Sequence, residues 1–193
     1  MEIRGAKVII RDKRIEDAWN EYEWRVDVEL SELDAAPAIT MGFDEFCRIF
    51  NSQFNYPTPW SKRMSIDTFE GLYIGNCMYY DIDTVNKEAE IGIMIGNRDF
   101  WGQGYGFDVM VTLIDHIFSS SSLKRLYLHT LEWNERARCC FEKVGMQVVK
   151  TVRRSGFDFY LMDMTRNLWD EQRDEKLRLR SDLSGPNHTS SIV

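Results

Sequence analysis

The segment Asn97-Arg98-Asp99-Phe100-Trp101-Gly102-Gln103-Gly104-Tyr105-Gly106-Phe107 carries the densest chemical signal in the chain. Its glycines let the backbone approach a ligand closely, and a helix opening here offers unpaired N–H groups to an anion. A phosphate-bearing ligand is the natural guest. Two better-known phosphate loops do not fit. In G-x-G-x-x-G the sixth position is Phe107 counted from Gly102 and Val109 counted from Gly104, and no Gly-Lys-Ser/Thr follows to make a Walker loop. On the glycines alone, a plain structural turn satisfies the segment equally well.

Asp81, Asp83, Glu88 and Glu90 make an acidic stretch that would attract a cationic amine, or that would simply solvate a turn. Asn134 stands where a helix begins and suits an N-cap. Cys47, Cys77, Cys139 and Cys140 form no C-x-x-C pair, and His116, His129 and His188 form no H-x-x-x-H pair. No metal is expected, and the thiols read as reduced, with Cys139 and Cys140 as core filler on a helix.

The elements that must position these residues follow from periodicity. Val8 to Arg11 reads as a strand. Ile15 to Leu33 reads as a helix, with Trp19, Tyr22, Val26, Leu30 and Leu33 at helical spacing, and Asp34-Ala35-Ala36-Pro37-Ala38 ends it. A second helix carries Phe43, Phe46, Cys47, Phe50 and Phe54 on one face, with Asp44 as its cap, and Tyr56-Pro57-Thr58-Pro59-Trp60 is a stiff extended loop. Period-two strands follow at Met64 to Asp67, Leu72 to Asp81 and Glu88 to Gly96. The glycine loop then opens a helix bearing Met110, Leu113, Ile114, Ile117 and Phe118. Lys124 to Leu131 is a strand, and Asn134 to Val144 a helix stopped by Gly145. Gln147 to Arg153 and Phe157 to Met164 close the set as strands. The order β-α-α-β-β-β-α-β-α-β-β makes an α/β domain, a mixed sheet with helices on its faces, over residues 1–166. Beyond it, Asn167 to Arg180 is charged and predicted helical, and Ser181 to Val193 reads as a disordered tail.

The 193 residues suit a single domain, and 44% apolar with 28% charged residues excludes a disordered or collagen-like chain. A formal charge of −7 argues against nucleic acid as a partner, because such binding rests on neutralising phosphates. No apolar run approaches a membrane span, and Met1-Glu2-Ile3-Arg4-Gly5 lacks a signal peptide's apolar region. A cytoplasmic protein without a membrane partner is the expectation.

Ala89-Glu90-Ile91-Gly92, then Trp101-Gly102-Gln103-Gly104-Tyr105-Gly106, then Asn134, Ala137 and Glu142-Lys143-Val144-Gly145-Met146 form an ordered set. The set resembles the GNAT family of N-acetyltransferases, above all its ribosomal-protein N-terminal acetyltransferase branch, over roughly residues 7 to 165. The resemblance implies a mixed sheet whose fourth and fifth strands splay apart and receive the pantetheine arm of acetyl-CoA. By position, the main chain of Ile93, Met94 and Ile95 would meet the pantetheine. The N–H groups of Gly102, Gln103, Gly104, Tyr105, Gly106 and Phe107 would hold the pyrophosphate. Trp101 fills the position where the family usually has Gln or Arg, and Asn134 would also bond the pantetheine. Arg136 and Arg138 read as solvated helix residues rather than phosphate ligands. The family often dimerises, and exposed sixth and seventh strands point to a homodimer here.

The implied reaction is acetyl transfer to a primary amine, on a protein N-terminus or a small molecule. Only the neutral amine attacks, so a base must take a proton. Glu90 is the candidate base, at about the position of the catalytic glutamate of the histone-acetylating members, with Glu88 the weaker alternative. The family's acid tyrosine position holds Phe141, leaving Tyr127, Tyr160 and His129 as substitutes. A phenyl ring donates no proton, which keeps a second reading open: a non-catalytic acyl-CoA-binding or regulatory module.

Overall fold

The computed structural model describes residues 1–56 and 58–183. Pro57 of the expected stiff loop, and all of the expected tail from residue 184 onward, lie outside the described residues. The described residues form one sheet of eight strands flanked by six helices. The strands are β1 (Glu2–Arg4), β2 (Val8–Asp12), β3 (Ser61–Thr68), β4 (Tyr73–Asp83), β5 (Glu88–Ile95), β6 (Arg125–Leu131), β7 (Gln147–Arg154) and β8 (Phe157–Thr165). The helices are α1 (Ala18–Val26), α2 (Val28–Leu33), α3 (Phe43–Asn55), α4 (Tyr105–Ser120), α5 (Glu135–Val144) and α6 (Arg166–Asp182). The sheet order is β1-β2-β3-β4-β5-β6-β8-β7.

β1 was not anticipated. It spans three residues with exposed Glu2 and Arg4, too short and too charged for its period to register. It shifts the strand count, so the pair expected to splay is β5 and β6. Among the described strands these two are the only parallel neighbours. They pair at Glu88, Ala89 and Glu90 with Arg125, Leu126 and Tyr127, and part beyond that point. β5 continues to Ile95 along β4 alone, which leaves a wedge open toward β6.

The core lies between the sheet and α4. Val109, Met110, Val111, Leu113 and Ile114 are completely buried, as are Ala89 and Leu126 on the strands beneath. α4 is apolar on nearly every side because α6 covers its outer surface. α6 buries Trp169, and its Arg173 reaches Asp115 of α4. This helix extends through Ser181 and Asp182, two residues further than its charged pattern predicts.

Asp108 fixes the start of α4. Its carboxylate is fully buried and accepts hydrogen bonds from the backbone N–H groups of Ala6, Lys7 and Val8 at 2.9, 2.6 and 3.1 Å. The turn between β1 and β2 is thereby tied to the glycine loop.

Three expectations need correction. The single helix from Ile15 to Leu33 is a 3-10 turn at Ile15–Asp17 followed by α1 and α2. Asp27 breaks it, because its side chain caps Leu30 N at 2.9 Å with its backbone extended, which competes with helix continuation. α3 is capped by Gly42, and Asp44 sits in its first turn. The seventh expected strand, β8, is paired on both sides, by β6 and β7, so of these two only β7 is an edge. β7 exposes Val148 and Val149.

Candidate active site

A cleft of about 330 Å³ occupies the wedge between β5 and α5 and runs to the glycine loop. Ile93, Met94, Ile95, Trp101, Gly102, Gly104, Tyr105, Gly106, Phe107 and Asn134 all line it. Gly102 and Gly104 have φ of +71° and +84°, a left-handed backbone that non-glycine residues adopt only at a cost. Gly104 is the N-cap of α4, so the first free N–H groups of that helix open on the cleft.

Two of the expected ligand residues behave differently. The Gln103 side chain turns back to donate to the Asp99 carbonyl and does not line the cleft, so its main chain is what can serve an anion there. The Ile95 carbonyl accepts a 2.7 Å hydrogen bond from the Trp101 indole and is already satisfied within the protein. Trp101 therefore pins the loop to the end of β5. Arg136 is not simply solvated: its guanidinium stacks 3.3 Å from the centre of a Trp101 ring and lines the cleft. Arg138 faces Glu142 instead. Asn134 caps α5 through a 3.2 Å bond from Ala137 N and lines the cleft, and its NH2 group meets no partner among the described residues. Cys140 is half-buried, and burial pushes its thiol up to about 11, whereas Cys139 is exposed and is not core filler.

The cleft opens into a larger cavity of about 740 Å³, with Ile93, Met94, Asn134 and Phe141 shared between the two. α1, α2 and α3 roof this cavity and the β3–β6 face floors it, with the turn between β7 and β8 at its rim. Glu90 lies here. It is 8% exposed, so it is not the ordinary polar-face carboxylate that strand alternation alone would suggest. Its Oε1 is 2.8 Å from Nδ1 of His129, whose side chain is equally buried. A carboxylate only accepts, so this contact is a hydrogen bond when Nδ1 carries the proton, and the neutral form of that tautomer has its lone pair on Nε2.

Of the three substitutes for the missing acid tyrosine, only His129 reaches the cavity. Tyr160 donates to Glu132 at 3.0 Å outside it, and Tyr127 packs edge-on to the His129 ring. Phe141 is buried and lines both cavities. Tyr80, which sequence reasoning missed, pairs in register with Glu90 and lines the same cavity. Burial, reinforced by the Glu90 charge, pushes its phenol above the ordinary tyrosine range, so it keeps its proton.

The acidic stretch does not act as a patch. Asp83 accepts from Val85 N and Asn86 N, both at 2.8 Å, and shapes the turn. Glu88 pairs with Arg125 at 2.9 Å. Only Glu90 faces the cavity. Among the described residues, no group of three His, Cys, Asp or Glu is placed to hold a metal ion. No helix among them is long and apolar enough to cross a membrane.

A wedge between parallel strands, a glycine-capped helix beneath it and a buried carboxylate alongside are features of one fold class, and comparison with known proteins agrees. The family model described as "Acetyltransferase (GNAT) domain" matches residues 7–147. The chain belongs to that family. An uncharacterized N-acetyltransferase p20 of Bacillus licheniformis is 42% identical over 53 residues, which span 28% of this chain and 29% of that protein. Spermidine N-acetyltransferase from Vibrio cholerae, solved in complex with CoA and spermine, is 16% identical with a TM-score of 0.75, covering 84% of this chain and 98% of that one. Mycobacterium smegmatis RimJ, in complex with CoA-disulfide, is 16% identical with a TM-score of 0.73, covering 93% and 92%.

Proposed function

We propose that this chain is an N-acetyltransferase that moves an acetyl group from acetyl-CoA to a primary amine, a protein N-terminus or a small-molecule amine, by direct attack on the thioester. The observation that carries this reading is the buried Glu90–His129 pair in a cavity that opens directly onto the glycine-loop cleft. The cleft suits acetyl-CoA in its chemistry. The left-handed glycines and the free N–H groups from Gly102 to Phe107 offer a backbone cradle for the pyrophosphate. Ile93 and Met94 wall the path of the pantetheine, and the Asn134 NH2 group is available to it. Gln103 contributes through its main chain, and Arg136, held on Trp101, supplies the positive charge that Gln103 lacks.

The acceptor arrives mostly as an ammonium ion, because a lysine-like amine has a pKa of about 10.4 and an α-amine about 8. His129 Nε2, oriented and supported by Glu90, takes one proton from it, directly or through a water. The neutral nitrogen then forms its bond to the acetyl carbon as the carbon–sulfur bond breaks. The second amine proton leaves with the departing thiolate or to solvent. Tyr80 stays protonated and is a donor within the same cavity. Phe141 supports one competing reading, a CoA-binding module without turnover, since it stands where a proton-donating tyrosine was expected. Release of free CoA thiol from acetyl-CoA with a panel of amines separates the two. Thiol release that depends on an amine supports transfer. A CoA-induced rise in melting temperature without any thiol release supports the module.

A further inference from the structure

The charges around the acceptor cavity do not balance. Each of its carboxylates has a partner: Glu21 has Lys13, Asp34 has Arg25 at 3.1 Å, and Glu90 has His129. Two further guanidiniums line the cavity, Arg63 and Arg154, and neither meets a carboxylate among the described residues. Arg63, on β3, shares the sheet face of Glu90. It pairs with Met78, which pairs with Gly92, and Gly92 and Glu90 are two residues apart on one strand. That places the two backbones roughly 12 Å apart, from strand spacing and rise. Arg154, at the tip of β7, brings Nη1 to 3.5 Å from His129 Nδ1. Unpaired cations thus stand on two sides of the carboxylate.

We infer that the acceptor is an amine that also carries an anionic group, a carboxylate or a phosphate, with its nitrogen at Glu90–His129 and its anion held by Arg63 and Arg154. This rests on the acetyl-transfer reading above. A guanidinium matches the geometry of either anion with paired N–H donors. A polyamine, cationic at every nitrogen, would meet both arginines with like charge, so the cavity disfavours the substrate class named for the Vibrio cholerae neighbour. The anion can belong to a small metabolite or to an acidic residue beside a peptide N-terminus, and the chemistry is the same.

The test compares matched acceptors that differ only in charge. One arm sets free amino acids against their amides and an amino sugar against its phosphate. A second arm sets peptides with Asp or Glu at the second position against the same peptides with Asn or Gln, and spermidine is included. The expected result is a kcat/KM at least tenfold higher for the anionic member of a pair, in whichever arm is the true source, narrowing as salt screens the charges. Arg63→Gln and Arg154→Gln, both at exposed positions, should each cut that ratio severalfold or more. Equal rates within the pairs, a preference for spermidine, or a ratio indifferent to both substitutions overturns the inference while leaving acetyl transfer standing. If no amine releases thiol, the transfer reading falls by itself. Calorimetric titration of an amino acid and its amide into the CoA-loaded protein then decides the anion site. Saturable binding of the acid alone, lost in the Arg63→Gln/Arg154→Gln double variant, supports it, and its absence overturns it.

Discussion

Replacing Glu90 by Gln removes one charge and keeps the side chain's length. The contact it makes is with Nδ1–H of His129 at 2.8 Å, and the carboxamide oxygen of Gln can accept the same proton. The fold should therefore lose little, under about 1 kcal/mol, the worth of an ordinary hydrogen bond. The chemistry should lose much more. Without the carboxylate, the imidazole that serves as base is no longer stabilised as it takes on charge, and a disabled general base costs roughly 10²–10⁴ in turnover. At 1.36 kcal/mol per decade this is about 2.7–5.4 kcal/mol of barrier, well above the stability change. Glu90 does not line the glycine-loop cleft, so KM for acetyl-CoA should hardly move.

The assay is initial-rate thiol release against pH, with urea unfolding in parallel. The deficit should shrink as pH rises, because more of the acceptor is then neutral without help. His129→Gln should cost a similar factor, and the double variant little more than either alone, since the two side chains act as one unit. Full activity in Glu90→Gln with an unchanged pH profile would refute the reasoning. His129 would then act without its carboxylate, or the proton would leave through water or through Glu88, which Arg125 holds at 2.9 Å.

Gly104→Val places a β-branched residue at φ +84°, with its Cβ pressed to about 3.1 Å from Leu183. It should weaken CoA affinity tenfold or more, and an undiminished CoA-induced shift in melting temperature would remove the loop assignment. Asp108→Ala withdraws the acceptor shared by Lys7 N and Val8 N and leaves Arg180 without its nearby charge. The denaturant midpoint should fall by the equivalent of roughly 3–5 kcal/mol, and a loss below 1 kcal/mol would show that the tie is not needed. Burial alone would raise the Asp17 pKa, but hydrogen bonds from Arg11, Ser65 and Arg14 N outweigh it and hold the carboxyl below its usual range. A depressed folded pKa means stability that is complete above the unfolded value of about 4 and is lost as pH falls through the folded value. Stability of the native chain should accordingly drop more steeply with acid than that of Asp17→Asn, and parallel curves would contradict this. For assembly, we expect light scattering to give about twice the chain mass of 22.8 kDa. Val149→Lys on the exposed edge strand β7 should return a monomer, and a monomeric native protein would remove the dimer.

The parts of the fold legible in the sequence are those set by local pattern. Alternation marked β5, the apolar periodicity marked α4, and Gly145 stopped α5 where a left-handed residue was required. The glycine loop was legible because glycine adopts its left-handed φ values without the cost other residues meet. What escaped was decided by contacts distant in sequence. Gln103 had the right position for a ligand, and a hydrogen bond to Asp99 turned it away. Ile95 had the right strand, but the Trp101 indole took its carbonyl. His129 was one of three equal substitutes until the pairing of β5 with β6 set it against Glu90. Tyr80 needed the register of β4, which bulges between Tyr80 and Asp83 and so hides it from residue counting.

The break at Asp27 connects these details to function. With the break, Trp24 of α1 lies against Gly96, where any Cβ would overlap its indole, and Leu30 of α2 packs into the same small cluster. Arg98, one turn before the glycine loop, then bonds Asp27 and Glu29 at the start of α2, at 2.8 and 2.6 Å. The roof of the acceptor cavity is thus fastened to the loop that walls the cleft, by an apolar contact at one end and ion pairs at the other. These ion pairs are partly exposed and individually weak. Their contribution is to geometry, because a roof anchored to the cleft wall keeps the acceptor cavity aligned with the cleft. Such alignment is what converts two bound reactants into one reacting pair.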